Sequence, residues 1–334
     1  MSSDKHKKNL RRLSKLLLAI SVLLCIALFL AYTIQPDFCA AVTFWPVWIW
    51  AIAGIILSLV ATGTNKKSRL AAMFIWLLLV GLTAEEPLAL LQSFTRSNRD
   101  CKSYCPGGNC LRVISLNCAG GNIIATEDLF KYSPDIVLLQ ESPGVKDLDT
   151  LTQKLFGGKG EFVLQGDTAI LANGRVIKTE VSKEDRLFMT GARVSLPSGL
   201  EIETLSIRLS PPATGTNLLS PDCWREHRED RRERLRQIGA IEEYLAPIDQ
   251  NVPLIIGGDF NANPWRGAAN ALSPRLYDTF KKGGFGWPGT GPSHLPLWRV
   301  DQIWASRHFK TIKVRSETCK NSDHRIVICD LCRL

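Results

Sequence analysis

The sequence predicts an α/β (α+β) domain that follows an all-helical membrane segment, and three observations support this prediction. Long uncharged apolar runs crowd the first 92 of the 334 residues. From Leu111 onward, short apolar runs alternate with turn residues, which is the pattern of strands and loops. The stretch Asp222–Leu245 has the apolar spacing of an amphipathic helix. We therefore predict an anchor at 1–92, a polar linker at 93–110 and a folded domain at 111–334.

Three uncharged apolar segments predict transmembrane helices at 16–34, 40–62 and 70–84. The first has 19 residues, and about 20 residues of helix cross the hydrocarbon core of a bilayer. The second has three tryptophans near its start, where an interfacial aromatic belt would lie. The third is the shortest and ends at Glu85. A cleavable signal peptide is the alternative for the first segment, but a second apolar run follows it at once.

Lysine and arginine are distributed unevenly among the short loops of the anchor. The tail before the first segment holds six of them, the loop 35–38 holds none, and the loop 63–69 holds three. Because cytoplasmic loops are enriched in Lys and Arg, this order predicts that the tail lies inside, the first loop outside and the second loop inside. Three spans would then make a multi-pass protein of the cell (inner) membrane, with the C-terminal domain on the extracytoplasmic side.

The formal net charge of +9 is a weak argument for a nucleic-acid partner because of where it lies. Residues 1–95 hold nine Lys and Arg and four Asp and Glu, a net charge of +5. Residues 96–334 hold 32 and 28, a net charge of +4. So small an excess of positive charge over a large domain does not indicate a basic stripe on its surface. The charge balance therefore does not predict DNA binding.

Eight cysteines remain after Cys25 and Cys39, which we assign to the anchor. They are Cys101, Cys105, Cys110, Cys118, Cys223, Cys319, Cys329 and Cys332. An even number, with three just after the last apolar segment, suits disulfides in an oxidising compartment. One alternative is a zinc site formed by that cluster of three or by the C-terminal Cys-x-x-Cys pair. The other alternative is a set of free buried thiols.

Eight short apolar runs predict strands, and several are apolar throughout, which suits strands that are covered on both faces. They are Leu111–Leu116, Ile136–Leu139, Ala169–Ala172, Ala192–Leu196, Glu201–Leu209, Leu254–Ile256, Val300–Trp304 and Arg325–Leu331. The predicted helix carries six arginines interleaved with acidic residues. Such a helix is either a solvated surface with salt bridges or a basic face that reaches phosphate.

Polar and acidic residues stand at the ends of these predicted strands. They are Asn117, Glu141, Asp259, Asn261, Asp301, Asp323 and His324. Ligand sites of α/β proteins form where strands end and loops begin. Carboxylates bind Mg²⁺ or Mn²⁺ and position an attacking water, and a histidine oriented by a carboxylate can stabilise developing negative charge. Together these residue types predict a site that hydrolyses a phosphate ester.

Five segments of the chain resemble the motifs of the endonuclease/exonuclease/phosphatase superfamily, in the same order. They are Ile114–Asn117, Leu139–Glu141, Gly257–Asn261, Arg299–Trp304 and Ser322–His324. The resemblance covers roughly two-thirds of the chain, from about Leu111 to Leu331. It implies a four-layer sandwich of two mixed β-sheets flanked by helices. It also implies a divalent-metal-dependent hydrolase that cleaves a phosphodiester or phosphomonoester by in-line attack of activated water.

The resemblance implies a role for each matching residue. The implied ligands of Mg²⁺ or Mn²⁺ are Glu141, Asn117 and Asp323. The implied catalytic residues are Asp259, Asn261, Asp301 and His324. Among these, Asp259 would activate the water and Asn261 would contact the phosphate or the nucleophile. His324 would stabilise the transition state, and Asp301 would orient it.

Two positions depart from the superfamily pattern. Ala119 stands where the family often has a second polar residue, so the sequence predicts no side-chain metal contact from that position. Arg208 stands where most members have a histidine. An arginine can grip a phosphoryl oxygen but cannot donate a proton at neutral pH, and a structural ion pair is the alternative. In the loop Gly286–Thr290, Thr290 is a further candidate for substrate contact, and a packed loop is the alternative. The candidate substrate-binding residues are therefore Arg208, Asn261 and Thr290.

The expected substrate is a phosphate ester: nucleic acid, a lipid head group or a small phosphoester. The lipid bilayer is a second expected partner through the N-terminal helices, and the sequence implies no protein partner. Ala119 and Arg208 favour an alternative function. In that alternative, the chain is a catalytically weak or inactive family member that binds a phosphate ligand or acts as a scaffold.

Overall fold

The computed structural model describes residues 2–95, 110–264, 271–273 and 275–334. The chain falls into two units, Met1–Leu88 with Gly215–Arg228 and Ala89–Thr214 with Glu229–Leu334. Most of the predicted linker 93–110, including Cys101 and Cys105, lies outside the described residues. The predicted domain boundaries therefore stay predictions.

The N-terminal region is helical. Its helices are α1 (Ser2–Ile34), α2 (Ala40–Thr43), α3 (Val47–Val60), α4 (Lys66–Thr83) and α5 (Glu86–Thr95). The stretch Lys5–Ile34 is long and apolar enough to cross a membrane. The other two apolar segments are bent, by 74° before α3 and by 78° after α4. The described residues therefore contain one clear candidate span, and up to three if each bent pair crosses as a unit.

Helices α1, α3 and α4 share a small buried polar cluster. The Ser21 hydroxyl contacts the Gly54 carbonyl at 3.0 Å and the Ser58 hydroxyl at 2.9 Å, and the Trp76 indole donates to it at 2.9 Å. A side chain at Gly54 would lie 1.9 Å from the Trp76 ring, so only glycine allows this approach. Small residues and interhelical hydrogen bonds of this kind are typical of helix packing in membranes.

Twelve strands make up the described sheets of the second unit. They are β1 (Cys110–Asn117), β2 (Ile136–Gln140), β3 (Glu161–Gln165), β4 (Thr168–Ala172), β5 (Arg175–Lys178), β6 (Met189–Ser195), β7 (Glu201–Arg208), β8 (Leu254–Asp259), β9 (Leu276–Asp278), β10 (Asp301–Ser306), β11 (Phe309–Glu317) and β12 (Ile326–Arg333). One sheet has the order β11-β12-β1-β2-β4-β3 and the other β5-β6-β7-β8-β10-β9. The pairs β1–β2 and β7–β8 are parallel and the rest antiparallel, so both sheets are mixed.

Each of the eight predicted strands overlaps an observed one, and the four strands missed by the prediction share a position. The missed strands are β3, β5, β9 and β11, which are the edges of the two sheets. An edge strand has one neighbour and is more often exposed, so it does not need a continuous apolar run. Strand β5 shows this most clearly, because three of its four residues are exposed.

Alternating side chains divide the buried apolar residues into three layers. The inter-sheet layer contains Val113 of β1, Ile255 of β8 and Ile303 of β10. Helix α6 (Val145–Phe156) packs Leu148 and Leu151 against the outer face of the first sheet. Helix α7 (Pro221–Leu245) packs residues such as Ile238 and Ile241 against the outer face of the second. This order of helix, sheet, sheet and helix confirms the predicted four-layer sandwich. A short helix, α8 (Thr279–Gly283), follows β9.

The cysteines of the described region occur in two states. Cys110 and Cys332 each take part in a disulfide. Cys118, Cys319 and Cys329 are free and buried. Because a zinc ion binds thiolates, the disulfide at Cys332 removes the C-terminal Cys-x-x-Cys pair as a zinc site. Disulfide bonding is therefore confirmed at Cys110 and Cys332, whereas Cys118, Cys319 and Cys329 are free buried thiols.

The arginine-rich helix α7 has both a surface and a buried side. Arg236 pairs with Glu233 on the surface, as a solvated helix would. Arg234 is 5% exposed, and its guanidinium donates to the carbonyl of Ser210 at 3.2 Å. Gln237 accepts from the backbone N–H of the same serine at 2.8 Å. The buried side of this helix therefore holds the loop that follows β7.

Candidate active site

Strand alternation brings the polar residues to one end of the inter-sheet layer. On β8, Ile255 faces that layer, and Asp259 lies four residues further along, so both share a face. On β10, Asp301 shares its face with Ile303 in the same way. Register then places Asp301 directly opposite Asp259, in the antiparallel pair β8–β10. The apolar layer therefore ends in a polar cleft where these strands begin or end.

Below the cleft, three polar side chains form a chain of hydrogen bonds that crosses from one sheet to the other. Ser115 donates to the side-chain oxygen of Gln140 at 3.2 Å, and the Gln140 amide donates to Ser206 at 3.0 Å. The Ser206 hydroxyl in turn contacts the Leu139 carbonyl at 2.9 Å. All three polar side chains are buried. Buried polar groups that satisfy one another in this way hold a single arrangement, and here they hold the two sheets in register below the cleft.

Asn117 connects the two halves of the cleft. Its side-chain amide donates to Glu141 Oε1 at 3.2 Å and to Asp259 Oδ2 at 3.1 Å. Its side-chain oxygen accepts from the Ala119 backbone N–H at 2.9 Å. Ala119 therefore contributes a backbone donor that orients Asn117.

One half of the cleft contains Asp259, Asp301 and His324. His324 Nδ1 contacts Asp301 Oδ2 at 2.8 Å, and His324 Nε2 lies 4.0 Å from Asp259 Oδ2. Asp259 and Asp301 are each 1% exposed. The imidazole thus has one nitrogen fixed by a carboxylate, and its other nitrogen is on the side of Asp259.

Burial and neighbouring charges shift the pKa values of this group. Burial raises the pKa of Asp259 to about 7, and the Asp301 carboxylate adds to that rise. Burial alone would lower the pKa of His324, but the Asp301 carboxylate outweighs it and raises this pKa to about 10. His324 is therefore held as a cation near neutral pH, whereas Asp259 can release and take up a proton there.

The other half of the cleft contains Glu141, Arg208 and Asp167. Arg208 Nη2 donates to Glu141 Oε1 at 2.7 Å, and Arg208 Nη1 donates to Asp167 Oδ2 at 2.8 Å. Burial would raise the pKa of Glu141, but hydrogen bonds from Asn117 and Gly120 and the Arg208 charge lower it below its ordinary value. Asp167 is a residue that the sequence analysis missed. It lies in the turn between β3 and β4, after Gly166 and two residues before the predicted strand Ala169–Ala172, so its place at a strand end could have marked it.

Unusual backbone conformations occur at the cleft. Glu141 and Asn261 have positive φ angles, +46° and +50°. Residues other than glycine adopt such angles at a cost of about 1–3 kcal/mol. Gly258, just before Asp259, has φ +148°, and a Cβ there would lie 1.9 Å from the Ile207 carbonyl oxygen. The close parallel pairing of β7 and β8 thus requires glycine before Asp259.

The remaining predicted residues have different surroundings. The Asn261 side chain donates to the Leu209 carbonyl at 2.7 Å, and its backbone N–H donates to Asp259 Oδ1 at 2.8 Å. The Asp323 side chain is exposed, and it is outside the compact group of Asp259, Asp301 and His324. Thr290 is 1% exposed. The predicted metal contact of Asp323 and the predicted substrate contacts of Asn261 and Thr290 stay predictions.

The Thr290 hydroxyl accepts hydrogen bonds from the backbone at the start of the strand that carries Asp301. It accepts from the N–H of Val300 at 3.1 Å and from that of Asp301 at 3.0 Å. The Thr290 carbonyl accepts from the N–H of Arg325, next to His324, at 2.8 Å. Thr290 therefore holds both partners of the Asp301–His324 pair, which is a positioning role that the sequence analysis did not foresee.

The cleft has the donors that a hard divalent cation requires. Ligand atoms of Asp259, Asp301 and His324 lie within 4.8 Å of one another. Asp301 Oδ1 is buried and has no hydrogen-bond partner among the described residues. The Glu141 carboxylate is joined to Asp259 through the Asn117 amide, and carboxylate oxygens are the ligands that Mg²⁺ prefers. The residues present therefore fit a divalent metal.

Comparison with known proteins relates the second unit to one family. The model of the Endonuclease/Exonuclease/phosphatase family matches residues 114–324. No curated protein matches the chain.

Solved structures share the fold at low sequence identity. A mannosyl-6-phosphatase from Bacteroides thetaiotaomicron has a TM-score of 0.51 and 15% identity, over 66% of this chain and 99% of that one. An endonuclease/exonuclease/phosphatase from Beutenbergia cavernae has a TM-score of 0.50 and 16% identity, over 67% and 72%. A humanised D. rerio TDP2 has a TM-score of 0.50 and 18% identity, over 67% and 99%. At these identities the likeness concerns the fold alone. Since the family match spans well over half of the sequence, the chain belongs to the endonuclease/exonuclease/phosphatase family.

Proposed function

We propose that the protein is a membrane-anchored phosphoesterase that requires Mg²⁺ or Mn²⁺ and hydrolyses a phosphodiester or phosphomonoester with water. The observation that carries this proposal is the meeting of Asn117, Glu141, Asp259, Asp301 and His324 in one cleft. Three hydrogen bonds and the 4.0 Å contact between His324 and Asp259 link the ends of five strands, β1, β2, β8, β10 and β12, so the arrangement is not a chance cluster on the surface.

The geometry supports a division of labour in the buried half of the cleft. Asp259, with a pKa raised to about 7, can orient the attacking water and accept its proton near neutral pH. His324 is a fixed cation that can donate a hydrogen bond to a phosphoryl oxygen as negative charge develops there. Asp301 fixes the imidazole through Nδ1, so that Nε2 stays available.

Glu141, Asn117 and Asp323 are the proposed metal ligands, and Asn117 also donates to Asp259. When bound, the metal supplies Lewis-acid stabilisation of charge on the phosphoryl group. The lowered pKa of Glu141 keeps that carboxylate ionised at neutral pH. Arg208 is the register partner of Asp259 on β7, and Asn261 stands two residues beyond the end of β8; both are proposed to contact the phosphate. Thr290 is the third candidate for that contact.

A direct test uses the purified full-length chain in detergent with bis-p-nitrophenyl phosphate and p-nitrophenyl phosphate. We expect hydrolysis with Mg²⁺ or Mn²⁺ and none with EDTA. Glu141→Ala and Asp259→Ala should each lower kcat/KM by about 10²-fold or more, with an unchanged melting temperature. Asp147→Asn, an exposed carboxylate on α6, is the matched control and should leave kcat/KM unchanged.

Two results would count against the proposal. Wild-type rates in both Glu141→Ala and Asp259→Ala would show that the site residues are wrong. Inactivity of the folded wild type with every metal would favour the alternative, a phosphate-binding or scaffold protein. The ion pair between Glu141 and Arg208 is the observation that favours this alternative, because it already satisfies a carboxylate that the enzyme needs for metal.

We further propose that the N-terminal helices cross the cell (inner) membrane three times and place the catalytic unit outside the cytoplasm. The polar cluster of Ser21, Gly54 and Trp76 supports a packed bundle of α1, α3 and α4. The Lys and Arg distribution among the loops supports the orientation. A phosphatase reporter fused after Leu334 should be active, and a reporter that works only in the cytoplasm should be silent. The reverse pattern would refute this topology.

A further inference from the structure

Arg208 lies between two carboxylates in the exposed half of the cleft. One terminal nitrogen donates to Glu141 at 2.7 Å and the other to Asp167 at 2.8 Å. Asp167 belongs to the β3–β4 turn, and its backbone carbonyl accepts from the Ser142 N–H at 2.8 Å. That bond ties the turn to the residue after Glu141. The backbone therefore holds Glu141 and Asp167 next to each other, and Arg208 bridges their side chains.

Both oxygens of Glu141 already have donors. Oε1 accepts from Asn117 and Arg208, and Oε2 accepts from the Gly120 N–H at 2.6 Å. A divalent cation bound to Oε1 would meet the Arg208 guanidinium at the same oxygen. Because like charges that close together repel strongly in a partly buried site, the two cations exclude each other.

Two unpaired atoms indicate where Arg208 can go. Arg208 Nε is a buried donor with no hydrogen-bond partner, and Asp167 Oδ1 is a buried acceptor with none, among the described residues. An arginine and a carboxylate commonly form two parallel hydrogen bonds, one of which can use Nε. A shift of the guanidinium from Glu141 onto both oxygens of Asp167 would satisfy both orphaned atoms. Side-chain exposures of 25–37% for the three residues let water assist this exchange.

We propose that Arg208 is a resident cation that competes with the divalent metal for Glu141, and that Asp167 takes up Arg208 when the metal binds. This inference rests on the proposed function, because it places the metal at Glu141. In the metal-bound state Arg208 stays in the cleft on Asp167, with a terminal N–H free for a phosphoryl oxygen. Asp167 is then a positioning residue, and the metal and Arg208 act at separate carboxylates.

The test measures Mn²⁺ affinity by titration calorimetry on the full-length chain in detergent, without substrate. Arg208→Met should bind Mn²⁺ about tenfold more tightly than the wild type, since a cation beside Glu141 is gone. Asp167→Asn should bind Mn²⁺ several-fold more weakly, because it offers Arg208 one uncharged oxygen in place of a two-oxygen carboxylate, and Arg208 stays on Glu141. Arg193→Met is the matched control, since it removes an arginine paired with Glu203 elsewhere in the same sheet, and its affinity should not change.

A double mutant separates the proposal from simple electrostatics. If Asp167 acts through Arg208, adding Asp167→Asn to Arg208→Met should leave Mn²⁺ affinity unchanged. If Asp167 acts by its charge alone, the double mutant should bind several-fold more weakly than Arg208→Met, and the exchange would be refuted. Melting temperatures without metal check that each variant is folded.

The outcomes distinguish this inference from the proposed function. Equal or weaker Mn²⁺ binding by Arg208→Met than by the wild type overturns the inference alone, provided that Glu141→Gln abolishes binding. If neither the wild type nor Arg208→Met binds Mn²⁺, or if binding is insensitive to Glu141→Gln, the proposed metal site fails and the inference fails with it. Binding seen only in Arg208→Met supports the inference most strongly.

Discussion

The cleft pairs a carboxylate with a cation twice, and the two pairs differ in how much water reaches them. In the Asp301–His324 pair the side chains are 0% and 15% exposed, and in the Glu141–Arg208 pair they are 25% and 30% exposed. A single amide, that of Asn117, contacts Glu141 on one side and Asp259, beside His324, on the other.

The difference in burial implies a difference in purpose. An ion pair that is cut off from water is held strongly and shifts the pKa values of its members. The Asp301–His324 pair does so, and its imidazole is a fixed cation near neutral pH. A pair that water reaches contributes little net energy and exchanges partners easily. We therefore infer that the Asp301–His324 pair is a fixed part of the site, whereas the Glu141–Arg208 pair can break and form again.

The substitution Asp301→Asn should break the buried pair and cause the larger effect. We expect kcat/KM to fall by about 10²- to 10³-fold, because the imidazole loses the charge that fixes and protonates it. Activity assays with bis-p-nitrophenyl phosphate measure this loss. A loss of less than threefold would mean that the pair is structural only.

The same variant has a signature in pH. The folded-state pKa of His324 is about 10, above its unfolded value of 6.5. Its contribution to stability is therefore complete below pH 6.5 and is lost as pH rises toward 10. In EDTA, the melting temperature of Asp301→Asn should therefore lie furthest below the wild type at about pH 6.5 and approach it by pH 10. Asp259, whose pKa is about 7, titrates at the lower end of this window, so the change toward pH 10 is the part that reports on His324. A difference that is independent of pH would contradict the assignment.

A smaller effect on activity is expected from substitutions of Thr290, whose hydrogen bonds position the Asp301–His324 pair. Thr290→Val removes the acceptor of two backbone N–H groups and should cost about 2 kcal/mol of unfolding free energy. We expect kcat to fall about tenfold, with the pH optimum displaced because Asp301 is less well placed. Thr290→Ser keeps the hydroxyl and is the matched control, with both properties near those of the wild type. Equal losses in the two variants would show that packing, and not the hydrogen bonds, explains the effect.

How far the sequence predicts this fold is clearest in the sheets. The central strands were predictable because burial on both faces demands continuous apolar runs, as in Ile136–Gln140. The edge strands β3, β5 and β11 were missed because one-sided pairing leaves their residues partly exposed, and β9 was missed because it has only three residues. The helix Pro221–Leu245 was predicted to within one residue at its start, but the burial of Arg234 was not. Local pattern does not show which charged residue of a basic helix points inward.

The sequence by itself determined which residue types stand at the strand ends and which family motifs they form. Side-chain alternation along β1, β8 and β10 then puts Asn117, Asp259 and Asp301 on one face by a local rule. Only the tertiary structure decided that Arg208 lies between Glu141 and Asp167, and that Thr290 faces backbone N–H groups. Those contacts join segments 10 to 67 positions apart along the chain. The packing of the two sheets sets such distances, and no local pattern encodes them.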